Sequence, residues 1–319
     1  MAAGKTKHNN FILVTEGGFE SPFYNIPVKG VNSMSENITK TMTIGNKTFD
    51  LHNHTYIMGI LNVTPDSFSD GGRYYTMDAV LRRAEQMIQE GAHIIDVGGE
   101  STRPGHTVIG DEEEIARVAP AVEAIAARFD IPISVDTYKP VVAEAALQCG
   151  AHMINDIWGL QHPADTACTM AQTIAKYNAA CCLMHNRDNH TYNSFLPECM
   201  AFLQHSVEIA CKAGIAADKI MLDPGVGFGK TYEQNLYVMG HLQMFNQLGY
   251  PMLLGTSRKS MIGLALDLPA QERLEGTLVT TVMAVMAGWN FVRVHDIKEN
   301  ARAIKMTETI LYQDGETNG

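Results

Sequence analysis

Long apolar runs are missing from this chain of 319 residues. The most apolar predicted helix, Thr277 to Ala287, is too short to span a bilayer and carries three threonines, so no membrane partner is expected. The start, MAAGKTKHNN, has no apolar h-region, and no signal peptide is read there. Cysteine is sparse: Cys149, Cys168, Cys181, Cys182, Cys199 and Cys211, none of them in a CxxC spacing. Cys181 and Cys182 are neighbours on a predicted strand, point to opposite faces and cannot chelate together. The six read as small hydrophobes in a reducing cytoplasm, the expected location. Clusters of Lys and Arg are missing as well. With a net charge of −11, the surface as a whole does not attract nucleic acid, although a local basic pocket for a phosphorylated small molecule stays compatible with it. No internal repeat beyond the βα unit and no low-complexity segment is visible.

What is present is an ordinary globular composition, 45% apolar, enough to bury a large core. Residues 1–40 differ from the rest. They are rich in Asn, Gly, Ser and Thr without a period and read as a disordered tail; Met34-Ser-Glu-Asn has the look of an internal start, which would make the first 33 residues an upstream addition. Residues 41–51, TMTIGNKTFDL, alternate around Gly45-Asn46 and read as a β-hairpin able to plug one mouth of a barrel. Beyond it, apolar strands end again and again in residues that can do chemistry: Asn62, Asp96, Asp136, Asn155-Asp156, His185, Asp223, Ser257-Arg258-Lys259, and Arg293 with His295. Helical periodicity lies between them, as in Val80, Ala84, Met87 and Ile88. Alternating strands and helices imply a parallel sheet, and eight units in about 260 residues fit a (β/α)8 barrel over 41–315, whose active site lies at the carboxyl ends of the strands. All those polar ends then converge on one face.

Five segments carry the chemistry. NVTPDSFSDGG, Asn62 to Gly72, delivers an amide and two carboxylates into a loop stiffened by Pro65. GGESTRPGH, Gly98 to His106, offers backbone N–H groups and the planar charge of Arg103, suited to phosphate; a plain Gly/Pro turn is the bland alternative. In LDPGVGFGK, Leu222 to Lys230, the GxGxG pattern is a weak dinucleotide signal. Asp223 reads better as a buried acceptor for the N–H edge of a ligand, with a flexible loop carrying Phe228 to a ring contact. GTSRKS, Gly255 to Ser260, brings Lys259 to a strand end and Ser260 to a helix start, and in RVHDI Arg293 and His295 lie two apart, suited to a diphosphate. Asp111 followed by Glu114 reads as a solvated, capped helix start. His52-Asn53-His54 has an HxH spacing but precedes the first barrel strand, at the wrong mouth for a metal centre.

Taken together, NVTPDSFSDGG, IDVGGESTRPG, SVDTYKP, INDIWG, LMH, LDPGVGFGK, GTSRKS and RVHDI, in that order, resemble the dihydropteroate synthase family over about residues 43–312. The resemblance implies a (β/α)8 barrel, dimeric through its late helices. It also implies a reaction that joins 4-aminobenzoate to 6-hydroxymethyl-7,8-dihydropterin diphosphate, with Mg2+ as cofactor. By the same resemblance Asn62 stands at the Mg2+–diphosphate. Asp136, Asn155, Asp223 and Lys259 form the pterin pocket, while Arg293 covers the pterin face and with His295 holds diphosphate. Phe68 and Asp70 belong to the first loop, Thr102 and Arg103 to the second. Phe68, Pro104 and Phe228 shape the aminobenzoate pocket, with Ser260 at its carboxylate. Departure of diphosphate leaves a methylene cation stabilised by the pterin, an SN1-like route that needs no enzyme nucleophile. Two rivals share parts of this pattern: a pterin-binding methyltransferase, which has no diphosphate to hold, and a catalytically silent binding barrel.

Overall fold

The structure is a computed structural model and describes residues 40–64, 77–100 and 108–312. The expected tail, the first-loop residues Phe68 and Asp70, and the second-loop residues Thr102, Arg103 and Pro104 lie outside the described residues.

Thr41–Ile44 (β1) and Lys47–Asp50 (β2) pair antiparallel across Gly45-Asn46, as the alternation predicts. Eight parallel strands follow: Tyr56–Asn62 (β3), Ile94–Gly98 (β4), Ile133–Asp136 (β5), Met153–Asp156 (β6), Ala180–Met184 (β7), Ile220–Asp223 (β8), Leu253–Leu254 (β9) and Phe291–Val294 (β10). Their order is β8-β7-β6-β5-β4-β3-β10-β9, and a parallel bridge between Leu222 and Met252 closes the ring. Helices lie between consecutive strands: Met77–Glu90 (α1), Asp111–Arg128 (α2), Pro140–Gln148 (α3), Thr169–Lys176 (α4), Phe195–Ala213 (α5), Tyr232–Gly240 (α6), then Ser260–Leu266 (α7) and Leu274–Met286 (α8). Ile297–Leu311 (α9) follows the last strand. The apolar spacing explains how they dock. In α1 the buried residues are Val80, Ala84 and Met87, one stripe at i, i+4 and i+7.

The core has two parts, because barrel strands are apolar on both faces. Outward residues such as Ile57, Ile95 and Cys181 pack under the helices. Inward residues Met58, Ile94, Met153, Cys182, Met221, Leu253 and Phe291 meet Met42, Ile44 and Phe49 of the hairpin. Adjacent Cys181 and Cys182 therefore do face opposite ways. The hairpin plugs the amino-terminal mouth. Phe49 stands edge-on to Phe291 at 5.7 Å, and burial of a side chain of this size contributes about 1.5–3 kcal/mol. With that end sealed, the carboxyl end is the mouth left for chemistry. His52 and His54 sit beside the plug, where His54 Nδ1 pairs with Glu308 at 3.0 Å.

Candidate active site at the carboxyl mouth

The inward side chains at the top of the strands form one polar cluster. Arg293 on β10 crosses the barrel: its Nε donates to Asp96 Oδ2 at 2.6 Å and its Nη2 to Asp136 Oδ2 at 2.7 Å. Asn155 Nδ2 on β6 donates to the same Asp96 oxygen at 3.3 Å. Asp96 is fully buried, and Asp136 and Asn155 nearly so. Burial pushes the Asp136 carboxyl well above its ordinary range, with Arg293 opposing the shift and Asp96 adding to it. Burial also acts against the Arg293 charge, but the two carboxylates outweigh it and raise its pKa. The second oxygens of Asp96 and Asp136, and the Ser134 hydroxyl beside them, are buried and take no hydrogen bond from the described residues. Such acceptors suit a planar ligand rich in N–H groups.

A second pair sits at β8 and β9. Asp223 is buried, and its Oδ1 accepts from the Gly225 N–H at 2.7 Å. Burial raises its pKa against the pull of Lys259. Burial likewise lowers the Lys259 ammonium to about 8, opposed by Asp223. That ammonium donates to the Val226 carbonyl and lies 4.6 Å from the Phe228 ring centre, a cation–π distance. Ser257 Oγ bonds His295 Nδ1 at 2.9 Å and also accepts from the His295 backbone N–H. Asn62 ends β3, half-buried, opposite Gly98, where a Cβ would stand 3.4 Å from its Oδ1. Ser260 is the first residue of α7 and lies exposed on a cleft of about 750 Å³ that Phe228, Trp158 and Tyr138 also line.

Of the residues read from sequence, Asn62, Asp136, Asn155, Asp223, Phe228, Lys259, Ser260, Arg293 and His295 are thus all at this mouth. Three expectations need correction. The loop after Asp223 is not flexible: Gly225 N, Gly225 O, Val226 O, Gly227 N, Phe228 O and Gly229 O all have hydrogen-bond partners. Arg258 turns away from the mouth; at a left-handed φ of 57° it forks onto Asp296. Asp111 is the first residue of α2 rather than its cap, which is Gly110, and Glu114 is not solvated. It is buried with Lys139 at 2.8 Å, and Lys139 also pairs with Glu100 at 2.6 Å.

Four further groups have structural partners that the sequence does not reveal. Asp96 was expected at a strand end, yet β4 continues to Gly98, and this places the carboxylate inside the ring. Ser257 reads as a strand-end residue without a specific partner, and the structure supplies that partner in His295. Lys139 joins Glu100 and Glu114, and its Nζ also donates to the Ile109 carbonyl at 2.8 Å, on the far side of residues 101–107. Lys230 is buried under the Asp223 loop and donates to His185. A lysine beside glycines reads as solvated unless its neighbours in space are known.

Among the described residues no group of three or more His, Cys, Asp or Glu could hold a metal ion. Asn62 supplies one neutral oxygen. Mg2+ is ordinarily held by one or two carboxylates together with substrate phosphates and water, so this neutral oxygen fits it only as a single ligand beside a bound diphosphate.

Known proteins are similar to this chain over most of its length. The family described as "Pterin binding enzyme" matches residues 58–295. A dihydropteroate synthase of Clostridium beijerinckii is 56% identical over 271 residues, covering 85% of this chain and 99% of its own. A solved dihydropteroate synthase from Clostridium difficile, determined in the presence of pteroic acid, superposes with a TM-score of 0.78 at 49% identity and covers 82% of this chain and 98% of its own. A Xanthomonas albilineans dihydropteroate synthase with 4-aminobenzoic acid gives 0.80 at 36% identity, covering 86% and 99%.

Proposed function

The chain belongs to the dihydropteroate synthases of the pterin binding enzyme family, and we propose that its carboxyl mouth joins 4-aminobenzoate to 6-hydroxymethyl-7,8-dihydropterin diphosphate, giving dihydropteroate and diphosphate. The observation that carries this reading is the crossing of Arg293 between Asp96 and Asp136. It leaves one oxygen of each buried carboxylate free to accept from a ligand, with Asp223 and Lys259 across the mouth.

The pterin ring lies flat in this cluster. Asp223 accepts from the amino group and ring N–H, Asn155 and Asp136 bind the other edge, and Arg293 covers the face. Lys259 balances the charge of Asp223. His295, held by Ser257, and Arg293 neutralise diphosphate as the C–O bond breaks, and the electron-rich pterin stabilises the methylene cation. The amine of 4-aminobenzoate then attacks, in the cleft lined by Phe228 with Ser260 at the carboxylate. Arg103, Thr102 and Pro104 of the second loop and Asp70 and Phe68 of the first complete the site and exclude water, which would otherwise capture the cation. Asn62 would hold Mg2+, which supplies charge neutralisation at the diphosphate when bound.

Two further expectations belong to this reading. The protein works as a homodimer, supported by the exposed apolar residues Val279 and Met286 on α8 and Met306 and Ile310 on α9. It acts in the cytoplasm. Among the described residues no helix is long and apolar enough to cross a membrane. Purified protein incubated with both substrates and Mg2+ should release dihydropteroate and diphosphate one for one. Pterin binding without either product would instead favour a silent barrel, and methyl transfer without diphosphate a methyltransferase.

A further inference from the structure

We propose that Lys230 is a positioning residue for the arylamine: its buried ammonium fixes the loop 224–229 and so holds Phe228 in place over Lys259. This inference rests on the assignment of the mouth given above. Lys230 is 6% exposed, and its Nζ makes three bonds, to His185 Nδ1 at 2.7 Å and to the carbonyls of Gly225 and Phe228 at 3.0 Å each. Burial lowers its pKa to about 7, and in the charged form the three bonds use all three of its donors. All three partners are neutral. His185 is buried, and burial together with the Lys230 charge keeps its imidazole unprotonated, with Nδ1 as the acceptor.

A buried ammonium without a carboxylate partner is costly, and a Met or Leu would fill the same volume without that cost. What the ammonium does that they cannot is gather two carbonyls of one tight turn. Phe228 N–H donates to Gly225 O at 3.1 Å, and Lys230 binds that oxygen together with the carbonyl of Phe228 itself. The turn lies flat on the exit of β7. Gly225 and Gly229 have φ of +68° and +53°, and a Cβ at either would run into the backbone of His185 or Arg187. Tyr192 adds a bond to the Gly229 carbonyl at 2.6 Å. Phe228 is therefore held through its own backbone, with its ring 4.6 Å from Lys259 Nζ and lining the cleft with Ser260. Asp223 takes one bond from the same turn, the Gly225 N–H at 2.7 Å, but its own backbone is fixed in β8, whereas Phe228 has only the turn to hold it. Loss of the Lys230 bonds should therefore displace Phe228 more than the Asp223 carboxylate.

The test is steady-state kinetics on the full chain, wild type, Lys230→Met and His185→Phe, varying each substrate in turn. Lys230→Met should raise KM for 4-aminobenzoate at least tenfold while KM for the pterin diphosphate moves less than threefold. His185→Phe keeps a ring but removes the acceptor. It should raise the arylamine KM alone, by a smaller factor, and it decides the matter if Lys230→Met does not accumulate as folded protein. A lysine that merely supported the barrel would raise both KM values together or lower kcat alone, and either result, or no change, overturns the proposal. Absence of product from the wild type sinks the assignment of function and this inference with it; turnover in the wild type with unsplit KM values in the variants sinks this inference only.

Discussion

Replacing Arg293 by Met should make the protein less stable in a way that depends on pH. The guanidinium is the shared counterion of two buried carboxylates, at 2.6 Å from Asp96 and 2.7 Å from Asp136. Removing one partner of a buried ion pair costs about 3–5 kcal/mol. The Arg293 side chain is 19% exposed, so water at the mouth relieves part of this, and the lower half of the range applies. For a domain of this size that is a fall in Tm of about 10 °C near neutral pH. Burial already raises the Asp136 carboxyl to about 7 with Arg293 in place, and without the arginine that opposed the shift its folded pKa rises further above the unfolded value. The folded state then binds more protons, and stability falls as pH rises through that pKa. The deficit against wild type should therefore be largest at about pH 8 and shrink toward about pH 5.5. Adding Asp136→Asn to Arg293→Met should recover part of the loss at the higher pH, because it removes one of the two unpaired charges. Thermal melts of the three proteins at both pH values check this. A deficit that is the same at both pH values, or a double variant less stable than Arg293→Met, would refute the claim that charge balance in this triad sets its cost.

Asp223→Ala and Lys259→Ala should each weaken pterin binding by about 1.5–3 kcal/mol in calorimetry, the contribution of a hydrogen bond to a charged group; unchanged affinity in both would remove them from the pocket. Arg103→Ala should lower turnover far more than it lowers binding of a pterin lacking diphosphate, and a parallel loss for the bare pterin would mean that its loop only supports the barrel. A sulfonamide should compete with 4-aminobenzoate and bind tightly only when the pterin diphosphate, or pterin with diphosphate, is present. Equally tight binding to the bare protein would show that the pinned Phe228 and Ser260 already form the whole pocket.

The barrel was legible because its strands are short apolar runs that stop at single polar residues, and Asn62, Asp136 and Asp223 stand at the ends of β3, β5 and β8 as read. The hairpin was legible from alternation around Gly45-Asn46, and its plugging role follows from Met42, Ile44 and Phe49 all lying on one face. Asp96 was harder to place. A strand that runs on through Val97 and Gly98 looks the same in sequence as one that stops at the acid, and only the register, Asp96 opposite Ser134, puts it within reach of Arg293. The rigidity of the Asp223 loop was hidden for a different reason. Three glycines read as freedom, whereas here Gly225 and Gly229 let the backbone press against the exit of β7 and accept bonds from Lys230 and from Tyr192, which is remote in sequence. Glu114 was read as a helix-start acid because the dipole argument alone accounts for it; its partner Lys139 belongs to the next βα unit.

A crystal structure of the protein with the pterin substrate tests the central claim most directly. The ring should lie inside the carboxyl mouth with its amino and N–H edge on the Asp223 carboxylate, Asn155 and Asp136 at the other edge, and Arg293 against its face. A pterin found outside this cluster, with the bonds of Arg293 to Asp96 and Asp136 undisturbed and no contact to Asp223, would contradict it.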